Sequence, residues 1–180
     1  MRKVVAGLYL SLDGVVESPE KWQFDNFDDE IMSSMGSQLE AEDTVLLGRV
    51  TYQEWAEYWP TSTDEPFASF INNIPKYVVS TTLERADWSN STLIRGSLKE
   101  EITRLKGQTG KNIGVAGSPT LVHSLLINDL LDELTLMIHP VVVGSGKCLF
   151  KDGSGLKRLK LVASQISSTG VAILTYQPRG

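Results

Sequence analysis

The sequence predicts an α/β fold, with one mixed, mostly parallel sheet, an antiparallel C-terminal hairpin and helices on both faces. Three observations predict it. Short apolar, β-branched runs alternate with amphipathic helical stretches through most of the chain, the pattern of crossover-linked parallel strands. The tail is strand-rich and contains two runs separated by the turn signal Ser168-Thr169-Gly170. The 180 residues suffice for one domain with a substantial core and are few for two, so a single domain over 1–180 is expected.

Each element has its own warrant. Val4 to Leu10 alternates as a strand, and Ser11 to Trp22 follows as a loop. Phe27 to Leu39 is predicted helical, with Ile31, Met32, Met35 and Leu39 on one face. Thr44 to Leu47 is an apolar strand ending at Gly48, and Arg49 to Tyr58 a helix stopped by Pro60. Phe67, Phe70, Ile71 and Ile74 mark a short helix. Lys76 to Ser80 is a β-branched strand, and Ser91 to Ile94 a weaker one. Leu98, Ile102 and Leu105 stripe the next helix. Ile113, Val115 and Ala116 form a buried strand, which turns at Gly117-Ser118-Pro119-Thr120 into a helix carrying Leu121, Val122, Leu125 and Leu126. Ser118 is the expected N-cap, and Pro119 suits the first helical position. Glu133 to Val143 is predicted as a long strand interrupted in pairing by Pro140. Lys157 to Ser167 and Val171 to Gln177 form the closing hairpin.

Composition narrows the function. Hydrophobic residues at 41% and charged residues at 22% are ordinary for a globular protein. A net charge of -5 disfavours a nucleic-acid binder, which needs a basic face against phosphates. No apolar run approaches the roughly 20 residues of a membrane helix. The basic, apolar start "MRKVVAGLYLSLDG" alternates like a strand and meets Asp13 and Glu17 at once, unlike an export signal, so a cytoplasmic protein is expected. The single Cys148 excludes an internal disulfide and reads as a small buried apolar residue. His123 and His139 lack acids at ligand spacing; both read as structural, and no metal site is expected.

Ligands of such sheets sit beyond the carboxyl ends of the parallel strands. Three polar junctions fall there: "LLGRVTYQEW" with Gly48, Arg49 and Thr51; "YVVSTTLER" with Ser80, Thr81 and Thr82; and "VAGSPTL" with Ala116 to Leu121. Singly, each is an ordinary helix cap. Together they offer backbone N–H groups, hydroxyls and a guanidinium, which suits a dinucleotide. No GxGxxG or Walker loop is present, so the ordinary Rossmann and P-loop readings fail.

"LYLSLDGVVES", "LLGRVTYQEW", "YVVSTT", "IGVAGSPTLVHSLL" and "LDELTLMIHPVVVGSGKCLF" follow in the order found in the dihydrofolate reductase superfamily. The chain most resembles the C-terminal reductase domain of the bacterial bifunctional riboflavin deaminase–reductase and its stand-alone relatives, from about Val4 to Tyr176. That resemblance implies a three-layer dihydrofolate reductase-like fold, a homodimer, and NADPH as cofactor. It implies that Gly117, Ser118, Pro119, Thr120 and Leu121, with Ala116, hold the pyrophosphate, while Gly48, Arg49 and Thr51 reach phosphate from the other side. Ser80, Thr81 and Thr82 would line the adenosine end, and Ala6 with Leu12, Gly14 and Val15 the nicotinamide. Relatives commonly carry consecutive glycines where this chain has Gly117-Ser118-Pro119, so Ser118 either crowds the pyrophosphate or donates to it.

The chemistry implied is hydride transfer to a small heteroaromatic or its sugar adduct, first the ribosyl group of an aminopyrimidine phosphoribosyl compound. A proton must follow the hydride, and Asp13 in "SLDG" is the candidate catalytic group; it equally suits an Asp-Gly turn. Dihydrofolate reductase engages its pterin through an acid on the first helix; of the acids in "FDNFDDEIMSSM", Asp28 is the substrate-side candidate, although none stands cleanly at the expected distance before "LLGR". Trp22, Tyr52 and Trp55 offer rings for stacking a flat substrate. The alternatives are a dihydrofolate or pterin reductase and, from another class, an NADP-binding protein without turnover.

Overall fold

The computed structural model describes residues 1–150 and 155–179. Its centre is β1 (Val4–Ser11), which runs parallel to β5 (Asn112–Val115) on one side and to β6 (Glu133–His139) on the other. Beyond β5 lie β2 (Glu42–Gly48), β3 (Lys76–Val79) and β4 (Ser91–Ile94), all parallel. Beyond β6, β8 (Ala172–Pro178) and β7 (Leu159–Ile166) pair antiparallel. The resulting order is β4-β3-β2-β5-β1-β6-β8-β7. This is the expected mixed sheet with its antiparallel C-terminal hairpin.

Period-two alternation sorts the strand side chains into two cores. On one face Val4, Ala6, Leu8 and Leu10 pack with α4 (Leu98–Lys106) and α5 (Pro119–Ile127) through Ile102, Leu105, Val122 and Leu125. On the other, Val45 and Leu47 meet Tyr52 of α2 (Arg49–Tyr58) and Ile71 of α3 (Phe67–Asn73). Ile31 of α1 (Asp29–Glu40) packs there on Met137 and Ile173. Three layers follow. Among the described residues no helix is long and apolar enough to cross a membrane.

Several boundaries differ from expectation, each for a local reason. The strand expected to run to Val143 ends at His139, because Pro140 has no N–H for the ladder and the chain bends. The helix expected from Phe27 begins at Asp29. Asp28 caps it, accepting the Ile31 N–H at 3.1 Å, and Phe27 instead packs beside Ile31. β2 starts two residues early, at Glu42, with a register shift between Glu42 and Thr44. Cys148, expected buried, is exposed. Lys76 has no exposed surface; its ammonium caps the end of α3, donating to the Ile71 and Ile74 carbonyls at 2.8 and 3.0 Å.

Candidate functional site

The register puts Gly48 beside Val79 and Leu46 beside Val115, so the carboxyl ends of β3, β2 and β5 adjoin. The junctions Gly48-Arg49, Ser80–Thr82 and Ala116–Thr120 therefore form one edge. The loop after β1 joins them, since β1 pairs with β5. Between β5 and β1 the winding reverses: the chain leaves β1 for β2 on one side and reaches β6 on the other. A crevice opens at such a reversal.

The β5–α5 junction is its most specialised part. Gly117 and Ser118 are successive left-handed residues, with φ of 52° and 53°. A Cβ at Gly117 would stand 2.9 Å from Thr51 Cγ2 and 3.4 Å from Trp55 Cζ2, so glycine is required by space as well as by φ. Ser118 is not the N-cap expected: its side chain makes no capping bond to α5. Its Oγ instead accepts the Gly48 N–H at 2.8 Å, and its own N–H donates to Thr51 Oγ1 at 3.1 Å, tying two junctions together. Its carbonyl accepts from Leu121 and Val122. The N–H groups of Gly117 and Thr120 have no protein partner among the described residues. Pro119 opens the helix as expected, and Leu121 is buried in the core behind it. At the start of α2 the exposed Arg49 donates, among the described residues, to Gln53 Oε1 at 2.8 Å. At the third junction Ser80 turns its hydroxyl inward to accept the Thr82 and Leu83 N–H groups, while Thr81 and Thr82 are exposed.

The loop after β1 is stitched to the segment after β6. Leu12 N–H donates to Val141 O at 2.8 Å, and Val16 N–H to Lys147 O at 2.9 Å. Leu12 is exposed, Gly14 turns at φ 81°, and Val15 is buried and bridged to Cys148. Asp13 is the clasp. Its carboxylate accepts from Ser11 Oγ at 2.6 Å, Gly144 N–H at 2.7 Å and Val143 N–H at 3.1 Å. These bonds hold its pKa down to about 2. Asp13 thus clasps the loop after β1 to the segment after β6. Ala6 sends its side chain into the α4–α5 core, leaving only its backbone toward the crevice.

The substrate-side expectations divide. Trp55 is half-buried and flanks Gly117. Tyr52 is corrected: it is buried in the core and its hydroxyl accepts the Trp88 N–H at 2.9 Å, so it has no face for a ligand. Asp28 is also committed. Burial pushes its carboxyl up, but hydrogen bonds from Thr169 and from the Ile31 N–H outweigh this and hold it well below the usual carboxylate range. It pins α1 to the β7–β8 turn. Trp22 lies edge-on to His139, ring centroids 5.6 Å apart, and donates its Nε1–H to Glu17 O. His139 is fully buried, and burial lowers its pKa.

Sequence reasoning missed Gln38 and Glu42. Glu42 is buried, accepts from Gln38 Nε2 at 3.0 Å, and has its pKa raised to about 7 by desolvation. The one signal was a glycine in each of two central strands, Gly7 and Gly114, whose missing side chains make the room.

Comparison with known proteins follows the geometry. Residues 2–173 match the family described as the RibD C-terminal domain. The protein YyaP of Bacillus subtilis is 32% identical, across 99% of this chain and 96% of that one. A structure described as a riboflavin biosynthesis protein from Shewanella sp. PV-4 superposes with a TM-score of 0.82 at 19% identity, covering 99% of both chains. The diaminohydroxyphosphoribosylaminopyrimidine deaminase/5-amino-6-(5-phosphoribosylamino)uracil reductase of Thermotoga maritima gives 0.70 at 16% identity, over 99% of this chain and 57% of that one. These two structures share the fold.

Proposed function

The chain belongs to the RibD C-terminal domain family, and on that premise we propose that it is an NADPH-dependent reductase acting on a small heteroaromatic compound or its sugar adduct. The observation that carries this is the set of adjoining junctions, with the Gly117 and Thr120 amides that have no protein partner among the described residues and an exposed Arg49 at the start of α2. The fit to a dinucleotide is good: the amides and the helix end suit a pyrophosphate. Arg49, with Thr81 and Thr82, favours a 2′-phosphate and hence NADPH over NADH. Bound NADPH supplies the hydride. The chain's own part is to hold the phosphates, to fix the loop at residues 11–16 through Asp13, and to shield the crevice with Trp55.

The first substrate on this reading is 5-amino-6-(5-phosphoribosylamino)uracil, whose ribosyl group would be reduced. A homodimer belongs to the same reading, since the outer strand β7 exposes Leu161, Val162 and Ile166. So does a cytoplasmic location. The test follows NADPH absorbance with this pyrimidine and, separately, with dihydrofolate. Oxidation with the pyrimidine is expected. Faster oxidation with dihydrofolate would transfer the assignment to pterins, and binding without oxidation of either would leave a nucleotide-binding protein.

A further inference from the structure

The chain from Glu17 to Asp28 forms a strap that passes over His139, the last residue of β6. It is tied at both ends. Glu17 accepts the Lys147 N–H at 3.3 Å and pairs with the Lys147 ammonium at 3.1 Å. Asn26 exchanges hydrogen bonds with Thr169, and Asp28 accepts from Thr169 as well. Between those ties, every hydrogen bond of the strap among the described residues is internal. The Lys21, Trp22 and Gln23 N–H groups go to the Ser18 and Pro19 carbonyls, and Trp22 Nε1–H goes to Glu17 O. Gln23 is buried, yet its Oε1 has no partner among the described residues. Ser18, where the strap bends, is left-handed at φ 48°. The middle of the strap is therefore held by packing, and its ring contact with the sheet is Trp22 on His139, edge-on with centroids 5.6 Å apart.

His139 is a demanding residue to place under such a contact. It is fully buried, and neither ring nitrogen has a hydrogen-bond partner among the described residues. Tyr9 of β1 also packs edge-on against it, centroids 5.8 Å apart, and stays neutral because burial raises its phenol to about 12. Ser11, its register partner on β1, donates its hydroxyl to Asp13, whose carboxylate is held by the Val143 and Gly144 amides. Asp28 at the start of α1 favours an imidazolium, but Thr169 and the Ile31 N–H already engage its oxygens. Glu17 and Lys147 pair with each other, and Glu20 and Lys21 on the strap are exposed. Desolvation outweighs the pull of Asp28, and the ring's pKa lies below its ordinary 6.5.

We propose that His139 is a pH-operated latch: the neutral imidazole seats Trp22 and holds the strap down, and protonation releases Trp22 and lets the strap lift. A neutral ring between Trp22 and Tyr9 is an apolar packing partner. An imidazolium there would carry a charge and two N–H donors without an acceptor, a cost that lifting Trp22 removes by admitting water. The ring of the open form binds its proton at the ordinary value, more tightly than the closed form does. Closure is thus complete at neutral pH and is lost as pH falls below about 6.5. The ties at Lys147 and Thr169 and the Asp13 clasp stay made, which confines the opening to residues 18–25. The strap continues from the loop at residues 11–16, so the latch sets how open that side of the crevice stands.

The experiment is nuclear magnetic resonance on the whole chain carrying 13C-labelled histidine and 5-fluorotryptophan. Two histidines and four tryptophans give few signals, which His123→Gln and Trp22→Phe assign. As pH is lowered from about 8 through the acid range, His139 is expected to titrate below 6.5. The Trp22 fluorine signal should shift with the same midpoint, while those of Trp55, Trp59 and Trp88 stay in place. In His139→Phe, whose ring has no proton to gain, the Trp22 signal should hold its neutral-pH position throughout. Three wild-type results would each overturn the proposal: a His139 pKa at or above 6.5, a Trp22 signal that does not move, or all four tryptophan signals moving together as the whole chain unfolds. A Trp22 transition retained in His139→Phe would do the same, and the wild-type titration decides the matter even if that variant fails to fold.

Discussion

Replacing Gly117 by alanine perturbs the junction at its tightest point. The backbone there is left-handed, at φ 52°, which costs a residue with a Cβ about 1 kcal/mol. The new Cβ would also sit 2.9 Å from Thr51 Cγ2, so Thr51 must move, and Thr51 Oγ1 is the acceptor of the Ser118 N–H. Loss of that bond adds roughly 1 kcal/mol. The sum of about 2 kcal/mol lowers the melting temperature of a chain this size by about 4–8 °C. Gly144 is the control, with φ 81° and nothing within 4 Å of its Cβ position, so its alanine variant pays the backbone cost alone. Thermal denaturation reads the stabilities, and an NADPH titration reads the site. Gly117→Ala is expected to lose at least about tenfold in NADPH affinity as the junction amides shift, with Gly144→Ala unchanged. If the two variants matched in both measurements, the account of this junction would be refuted.

Three further outcomes are expected. Glu42 has its pKa raised to about 7, so the folded state binds its proton more tightly than the unfolded chain. Stability should therefore fall as pH rises from about 4.5 to about 7 by up to ~3 kcal/mol, and Glu42→Gln should flatten that slope in urea denaturation. Asp28 has its pKa lowered, so its contribution is present above about pH 4 and lost as pH falls through the folded value. Asp28→Asn should be destabilised at pH 6 and should converge on wild type in strong acid, as followed by circular dichroism. Lys76→Ala removes the ammonium that serves two buried carbonyls and opens a void; a loss of roughly 2–4 kcal/mol in chemical denaturation is expected.

The alternation of patterns was enough to read the sheet, its antiparallel end and the order of its helices. It was enough because each strand and helix buries a face of fixed period. What escaped was decided by contacts between residues far apart in the chain. Ser118 before Pro119 has the local form of an N-cap, yet Gly48, 70 residues away, claims its hydroxyl. Tyr52 sits in an aromatic cluster that could stack a ligand, and only the Trp88 N–H shows where its hydroxyl is spent. Asp13 has the local form of an Asp-Gly turn, and its bonds to the Val143 and Gly144 amides, 130 and 131 residues on, do not show in that pattern. Glu42, in the run "AEDT" ahead of a strand, has the local character of an exposed turn. Its burial depends on Gly114, 72 positions on, lacking a side chain. The short helices and the acids near Asp28 were legible as elements but not as a clasp, since the hairpin turn they hold lies at the other end of the chain.

The central claim is that these junctions hold NADPH. Titrating the protein with NADPH and NADH while following tryptophan fluorescence tests it most directly, because Trp55 flanks the Gly117 junction. Saturable quenching is expected, tighter for NADPH than for NADH, with the preference lost in Arg49→Ala. No saturable binding of either dinucleotide at millimolar concentration would contradict the claim and leave the three junctions as ordinary helix starts.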